Sequence, residues 1–141
     1  MIKKFDNSRK MMEDIFFIDS KSFNDINCNI DELCERIKKN NKYELFIKYK
    51  DEKPIAYIGI LYVANLHYDG AWIDLIGVIE EFRNVGIGSE LVKYAEKIVK
   101  EKGKKIITGL IRKNNISSIN MIRHSDFKND DVEFLLFSKT L

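Results

Sequence analysis

The amino-acid sequence predicts one α/β domain over residues 1–141, a mixed and mostly antiparallel sheet flanked by helices on both faces, in the order β-α-α-β-β-β-α-β-α-β. Three observations predict it. Two helical periodicities precede the first long strand patterns; the strand patterns that follow are separated by short turn signals, as hairpins require; and another strand pattern runs through a glycine loop into an amphipathic helix. A chain of 141 residues can bury most of its apolar surface in one core, and no repeat, linker or low-complexity tract divides it.

Ile2 to Phe5 reads as a short first strand. From Ser8 the pattern turns helical, with Met12, Ile15, Phe16, Asp19 and Phe23 to one side, and the polar stretch Asn24 to Asn29 ends it. Asn29 suits the N-cap of a second helix, with Glu32 placed to complete a capping box. Ile30, Leu33, Cys34 and Ile37 form its apolar stripe before Asn40 and Asn41, which makes Cys34 a core residue. Tyr43 to Lys50 and Ile55 to Val63 are rich in strand formers, and the turn Asp51-Glu52-Lys53-Pro54 folds them into an antiparallel hairpin. Asn65 to Gly70 leads into the strand Ala71 to Ile79. Beyond the glycine loop, Leu91, Val92, Ala95, Ile98 and Val99 recur at helical spacing, with Lys93, Glu96, Lys97, Lys100 and Glu101 on the other face, and Gly103 suits the C′ position. Lys104 to Arg112 reads as a strand, Asn114 and Asn115 open a short helix to about Ser125, and the apolar run Val132 to Lys139 suggests a last strand.

Composition excludes several function classes. A net charge of +2 gives no electrostatic reason to expect nucleic acid, and no apolar run is long enough for a membrane span. Met1 to Asp6 lacks the apolar core of a secretory signal. Cys28 and Cys34 suit neither a disulfide framework nor a metal site, and His67 and His124 add no ligand cluster, so no metal is expected and a reducing cytoplasm is the default location.

The stretch Arg83-Asn84-Val85-Gly86-Ile87-Gly88 carries the chemistry. A glycine loop between a strand and a helix leaves unpaired N–H groups at the helix start, and small residues let a phosphate come close to the main chain. Which phosphate follows by elimination. A Walker loop needs Gly-Lys-Ser/Thr, and here Gly88 is followed by Ser89 with no lysine near. A dinucleotide fingerprint needs a third glycine where Leu91 stands and an acidic residue where Lys104 and Lys105 stand.

Arg-x-x-Gly-x-Gly in this setting resembles the pyrophosphate-binding motif of the GNAT superfamily of acetyl-CoA-dependent N-acetyltransferases, whose element order also matches nearly the whole chain. The resemblance implies acetyl-CoA as co-substrate, its pyrophosphate on the amides from Val85 through Gly86, Ile87, Gly88 and Ser89, with Arg83 at the motif's Arg/Gln position as a ligand or as a residue shaping the loop. It implies that the Val78 N–H meets the acetyl carbonyl, with Ile76 on the same strand. The family's Asn-x-x-Ala-x-x-Leu-Tyr-x-x-x-Gly-Phe pattern is met by Asn115, Ser118, Met121 and Phe127. Ile122 stands where many members carry the tyrosine that protonates the leaving thiolate, and Asp126 replaces the glycine. A thiol pKa near about 8.5 means that this thiolate needs little help, so water or a hydroxyl such as Ser118 can serve.

The implied reaction is direct acetyl transfer to a primary amine of a small molecule, which requires a group to take the ammonium proton. Asp74 is the first candidate: its strand parity matches Trp72, Ile76 and Val78, and a carboxylate in an apolar strand is costly unless paired or working. A buried hydrogen-bond anchor or a cation-binding group is the other reading of Asp74. Glu80 and Glu81 read as a solvated edge. The strand Trp72 to Val78 and the segment Thr108 to Ile116 are similar to the branch acetylating amino groups of nucleotide-linked sugars. Rival readings are an acetyltransferase for protein N-termini or lysines, and a non-catalytic acyl-CoA-binding module, motivated by Ile122. The sequence leaves the oligomeric state open, a homodimer included.

Overall fold

The computed structural model describes residues 1–141. Its elements run β1 (Ile2–Lys4), α1 (Arg9–Ser22), α2 (Ile30–Lys39), β2 (Tyr43–Lys50), β3 (Lys53–Ala64), β4 (Asp69–Val78), a single 3-10 turn (Glu80–Phe82), α3 (Ile87–Glu101), β5 (Ile107–Gly109) and α4 (Ile116–Arg123). The strands form one sheet in the order β1-β2-β3-β4-β5, antiparallel throughout except for β4 with β5.

Local chemistry sets the helix starts. The Ser8 hydroxyl accepts from the Met11 amide at 3.2 Å, and the expected box at α2 forms, with the Glu32 amide donating to Asn29 Oδ1 at 2.9 Å and the Asn29 amide donating to Glu32 Oε2 at 3.3 Å. The β2–β3 turn is carried by Asp51 and Glu52, both at positive φ (48° and 64°), as a tight hairpin turn demands. Pro54 therefore lies inside β3, opposite Tyr49, where the ladder is irregular and a missing N–H is tolerated.

Alternate residues of the central strands face different helices. Tyr57 donates to Asp19 of α1 at 3.0 Å, and Tyr49 to Asp14 of the same helix at 2.8 Å. On the other face Lys48 pairs with Glu90 of α3 at 2.6 Å, and Phe46 meets Tyr94 edge to face at 5.3 Å. Leu91, Val92, Ala95 and Val99 of α3 are buried against that face, each large aliphatic contributing about 1.5–3 kcal/mol.

Glu44 is a buried charge on the α3 face, bonded by the Lys4 ammonium, by the Tyr62 hydroxyl at 2.8 Å and by Lys102 at 3.2 Å. Burial pushes its carboxyl up, but the hydrogen bonds from Lys4, Tyr62 and Lys102 outweigh this and hold it below its ordinary value of 4.5. A carboxyl depressed by folding lends stability that is complete above its unfolded pKa and is lost as pH falls through the folded one. Glu44→Gln should therefore flatten the acid limb of stability, measured as urea midpoints from about pH 7 to pH 3.

Two sequence expectations need correction. The strand expected from Lys104 to Arg112 shrinks to Ile107–Gly109, the three residues that pair with β4, opposite Ala71 to Ile73. Val132 to Lys139 forms no strand at all: the run is apolar on both sides and lies off the sheet, with Leu136 96% exposed.

Candidate active site

Where β4 and β5 part, the sheet opens. The Ile79 amide donates to Ile55 O at 3.0 Å, and in an antiparallel ladder bonded pairs alternate, so Ile76 and Val78, opposite Ile58 and Ala56, direct their N–H groups away from β3. On that side β5 runs opposite Ala71, Trp72 and Ile73 only. The amides of Ile76 and Val78 thus face a gap in the sheet beyond the end of β5.

The glycine loop closes one end of this gap. Arg83 braces it, with Nε donating to Val78 O at 2.9 Å and an Nη to Lys21 O at 3.1 Å. Asn84 (φ 60°) and Gly86 (φ 88°) both turn left-handed, and Gly86 caps α3 with no side chain to satisfy the first-turn amides of Ile87, Gly88 and Ser89. A Cβ built on Gly86 would meet nothing within 4 Å, so the loop is unobstructed at this residue. Gly88 is absent of side chain for another reason: a Cβ there would lie 2.3 Å from Met121 Sδ, so it lets α4 pack against α3. Glu90, the one acid in the first turn, is neutralised by Lys48.

The other half of the site lies across the sheet. The β3–β4 register slips between Gly59 and Ile60, whose partners are Leu75 and Ile73, which leaves Asp74 as an extra residue in β4. This corrects the parity argument. Ile76 and Val78 face α3, whereas Asp74 turns to the α1–α2 face, where the Tyr43 hydroxyl donates to its Oδ2 at 2.8 Å. Tyr43 reaches it by lying over Gly59, at which a Cβ would stand 2.2 Å from the phenol oxygen. Burial, and then the Asp74 charge, push the Tyr43 phenol well above its ordinary range, which keeps it a donor. Asp74 itself is exposed. Next to it, Leu75 lines a cavity of about 180 Å³ with Asp19, Phe23, Asp25, Asn27 and Arg36 of the α1–α2 region.

A family model for GNAT acetyltransferases matches residues 10–127, most of the chain. The chain belongs to the GNAT acetyltransferase family. This GNAT domain is similar to an aminoglycoside acetyltransferase from an uncultured soil metagenomic sample, solved with trehalose, at 14% identity and TM-score 0.82, covering 99% of this chain and 96% of that one. It is also similar to an aminoglycoside 6′-N-acetyltransferase from Acinetobacter haemolyticus, at 18% identity and TM-score 0.77 over 100% and 99% of the two chains. A third, an aminoglycoside N-acetyltransferase solved with a bisubstrate analogue built from CoA and an acetylneamine, matches at 14% identity and TM-score 0.83 over 99% and 98%. At these identities the likeness concerns the fold. No curated protein matches the chain, and no helix is long and apolar enough to cross a membrane.

The remaining sequence candidates of this GNAT domain sit on α4. Asn115 caps it, its side chain accepting from the Ser118 amide at 3.2 Å; Ser118 is half-buried, and Ile122 packs against the core. Val85 is exposed on the loop. His67 lies in the β3–β4 turn, its amide bonded to Asn65, and His124 is exposed beyond α4, bonded to Asn120 O, so neither meets Asp74. Sequence reasoning missed Tyr43 and the cavity around Leu75. Only the strand order and the slipped register bring those residues to Asp74.

Proposed function

We propose that this protein is an N-acetyltransferase that moves acetyl from acetyl-CoA to a primary amine of a small molecule, an amino sugar being the first choice. The observation that carries the reading is the gap between β4 and β5, with the Val78 amide facing it and the uncapped start of α3 at one end. The amides of Ile87, Gly88 and Ser89, with Val85 and Gly86 as the loop, would hold the pyrophosphate. Arg83 acts by bracing the loop, and Asn115 by holding the start of α4.

In this reading the amine nitrogen attacks the thioester carbonyl, whose oxygen is stabilised by the Val78 N–H; the C–S bond then breaks, and the second proton of the attacking nitrogen passes to the thiolate by way of water or the Ser118 hydroxyl. Asp74 receives the proton lost by the ammonium. Four positions of strand separate Asp74 from Val78, roughly 13 Å at about 3.3 Å per residue, so the proton travels through water rather than by direct contact. The exposed position of Asp74 suits such a relay. The acids Asp19 and Asp25 outnumber Arg36 in the cavity lining, which suits a cationic acceptor, and the aminoglycoside acetyltransferases of the same fold point to an amino sugar.

The second reading, a module that binds acyl-CoA without turnover, is favoured by Ile122 alone. CoA release measured against amino sugars, polyamines and peptides separates the two, with release expected for amino sugars. A peptide-only response would favour a protein acetyltransferase. Stabilisation by acetyl-CoA, about 2.7 kcal/mol at a hundred times its Kd, without any release would leave the binding module. No stabilisation and no release would overturn both.

A further inference from the structure

An acid and a base share the cavity beside Leu75 without closing on each other. Arg36 of α2 and Asp25 of the α1–α2 connection both line it, together with Asp19 of α1 and Asn27. Arg9, at the start of α1, is held by Glu13 and Asp31, whereas Arg36 is ion-paired with neither carboxylate of the cavity. Asp25 has no cation beside it either, and the buried Asp19 is bonded through Oδ1 alone, by the Tyr57 hydroxyl at 3.0 Å. Opposite charges that line one cavity without pairing present two separate addresses to a ligand. The guanidinium offers its fork of donors to an oxyanion, and the carboxylates accept from an ammonium. The arrangement also has a direction. Tyr57 lies over Gly77, where a Cβ would stand 2.7 Å from its ring, so Asp19 marks the end of the cavity nearer to Val78. Arg36 comes from the last turn of α2, an element off the sheet.

We propose that Arg36 is a specificity-determining residue, and that the acceptor is a primary amine carrying an oxyanion, a carboxylate or a phosphate ester, on the same small molecule. Its ammonium lies toward Asp19 and Asp25, and so toward the Val78 end, while its oxyanion lies on the Arg36 guanidinium. This choice of acceptor rests on the acetyl-transfer reading of the site and narrows it, because a molecule bearing only amines meets the Arg36 charge as a repulsion. A cavity of about 180 Å³ is smaller than the pockets of drug-sized ligands, which suits a compact acceptor such as an amino acid or a monosaccharide phosphate.

The test is calorimetric titration of the CoA-saturated chain with two matched pairs, serine against ethanolamine and glucosamine 6-phosphate against glucosamine, whose members differ by the anion. Expected in the wild type is a Kd at least about tenfold lower for the anionic member of one pair or both, the pair itself telling carboxylate from phosphate. Arg36→Gln should erase that difference by weakening the anionic member alone, and Arg36→Lys should restore part of it. Arg36 is exposed and its side chain bonds no other residue, so both variants keep the fold. Equal binding within both pairs, tighter binding of the anion-free members, no binding of any of the four, or a preference that survives Arg36→Gln would each overturn the proposal. CoA release from acetyl-CoA with the same four compounds keeps the two readings apart. An Arg36-dependent preference in binding without release would remove acetyl transfer and leave the role of Arg36 standing; release without the preference would do the reverse.

Discussion

Gly86→Val is expected to weaken acetyl-CoA binding by at least about 100-fold, roughly 2.8 kcal/mol, while the protein stays folded. Two effects combine. Gly86 sits at φ 88°, where a side chain costs about 1–2 kcal/mol of strain, and it caps α3, so that a valine there would add bulk at the proposed pyrophosphate site. Gly103 separates the two, because it also has positive φ (74°) and an unobstructed Cβ direction but lies at the far end of α3. Gly103→Val should lower the melting temperature comparably and leave the calorimetric Kd for acetyl-CoA unchanged. Equal, near wild-type affinity in both variants would remove the loop from the binding site.

Asp74→Asn should lower kcat by about 100-fold near neutral pH and abolish the acid limb of the rate profile, with acetyl-CoA affinity retained. Tyr43→Phe gives the finer test. Its hydroxyl is the hydrogen-bond partner that holds the carboxylate in place, so without it kcat should fall, by less than in Asp74→Asn, with acetyl-CoA affinity retained. Stopped-flow assays over a pH series, with calorimetric binding of acetyl-CoA, would check both variants. An unchanged profile in Asp74→Asn would reduce the Tyr43–Asp74 pair to a brace between β2 and β4.

What the sequence discloses follows the range of the interaction. The Asn29–Glu32 box and the loop from Arg83 to Gly88 are local, made by residues within a turn of one another, and they stand in the structure where their spacing puts them. The face presented by Asp74 is not local. Strict alternation assigns it to the side of Val78, and only the pairing of Gly59 with Leu75 and of Ile60 with Ile73 shows that one residue has been inserted. Tyr43 comes to Asp74 from a strand that is not even β4's neighbour, across Gly59. The run Val132–Lys139 misleads for the opposite reason. Its composition suits burial in a sheet, but Phe134 to Phe137 stay exposed, and composition alone does not bring a strand partner to them.

The extra residue in β4 has one more consequence. With Asp74 left out, Ile73, Leu75 and Ile76 would alternate and pair in an unbroken ladder with Ile60, Gly59 and Ile58. The carboxylate is thus carried as an addition to a strand complete without it. Chemistry and architecture are separable at this point: a lineage could shed or acquire the acid by a change of one codon in length, with the rest of the sheet keeping its pairing.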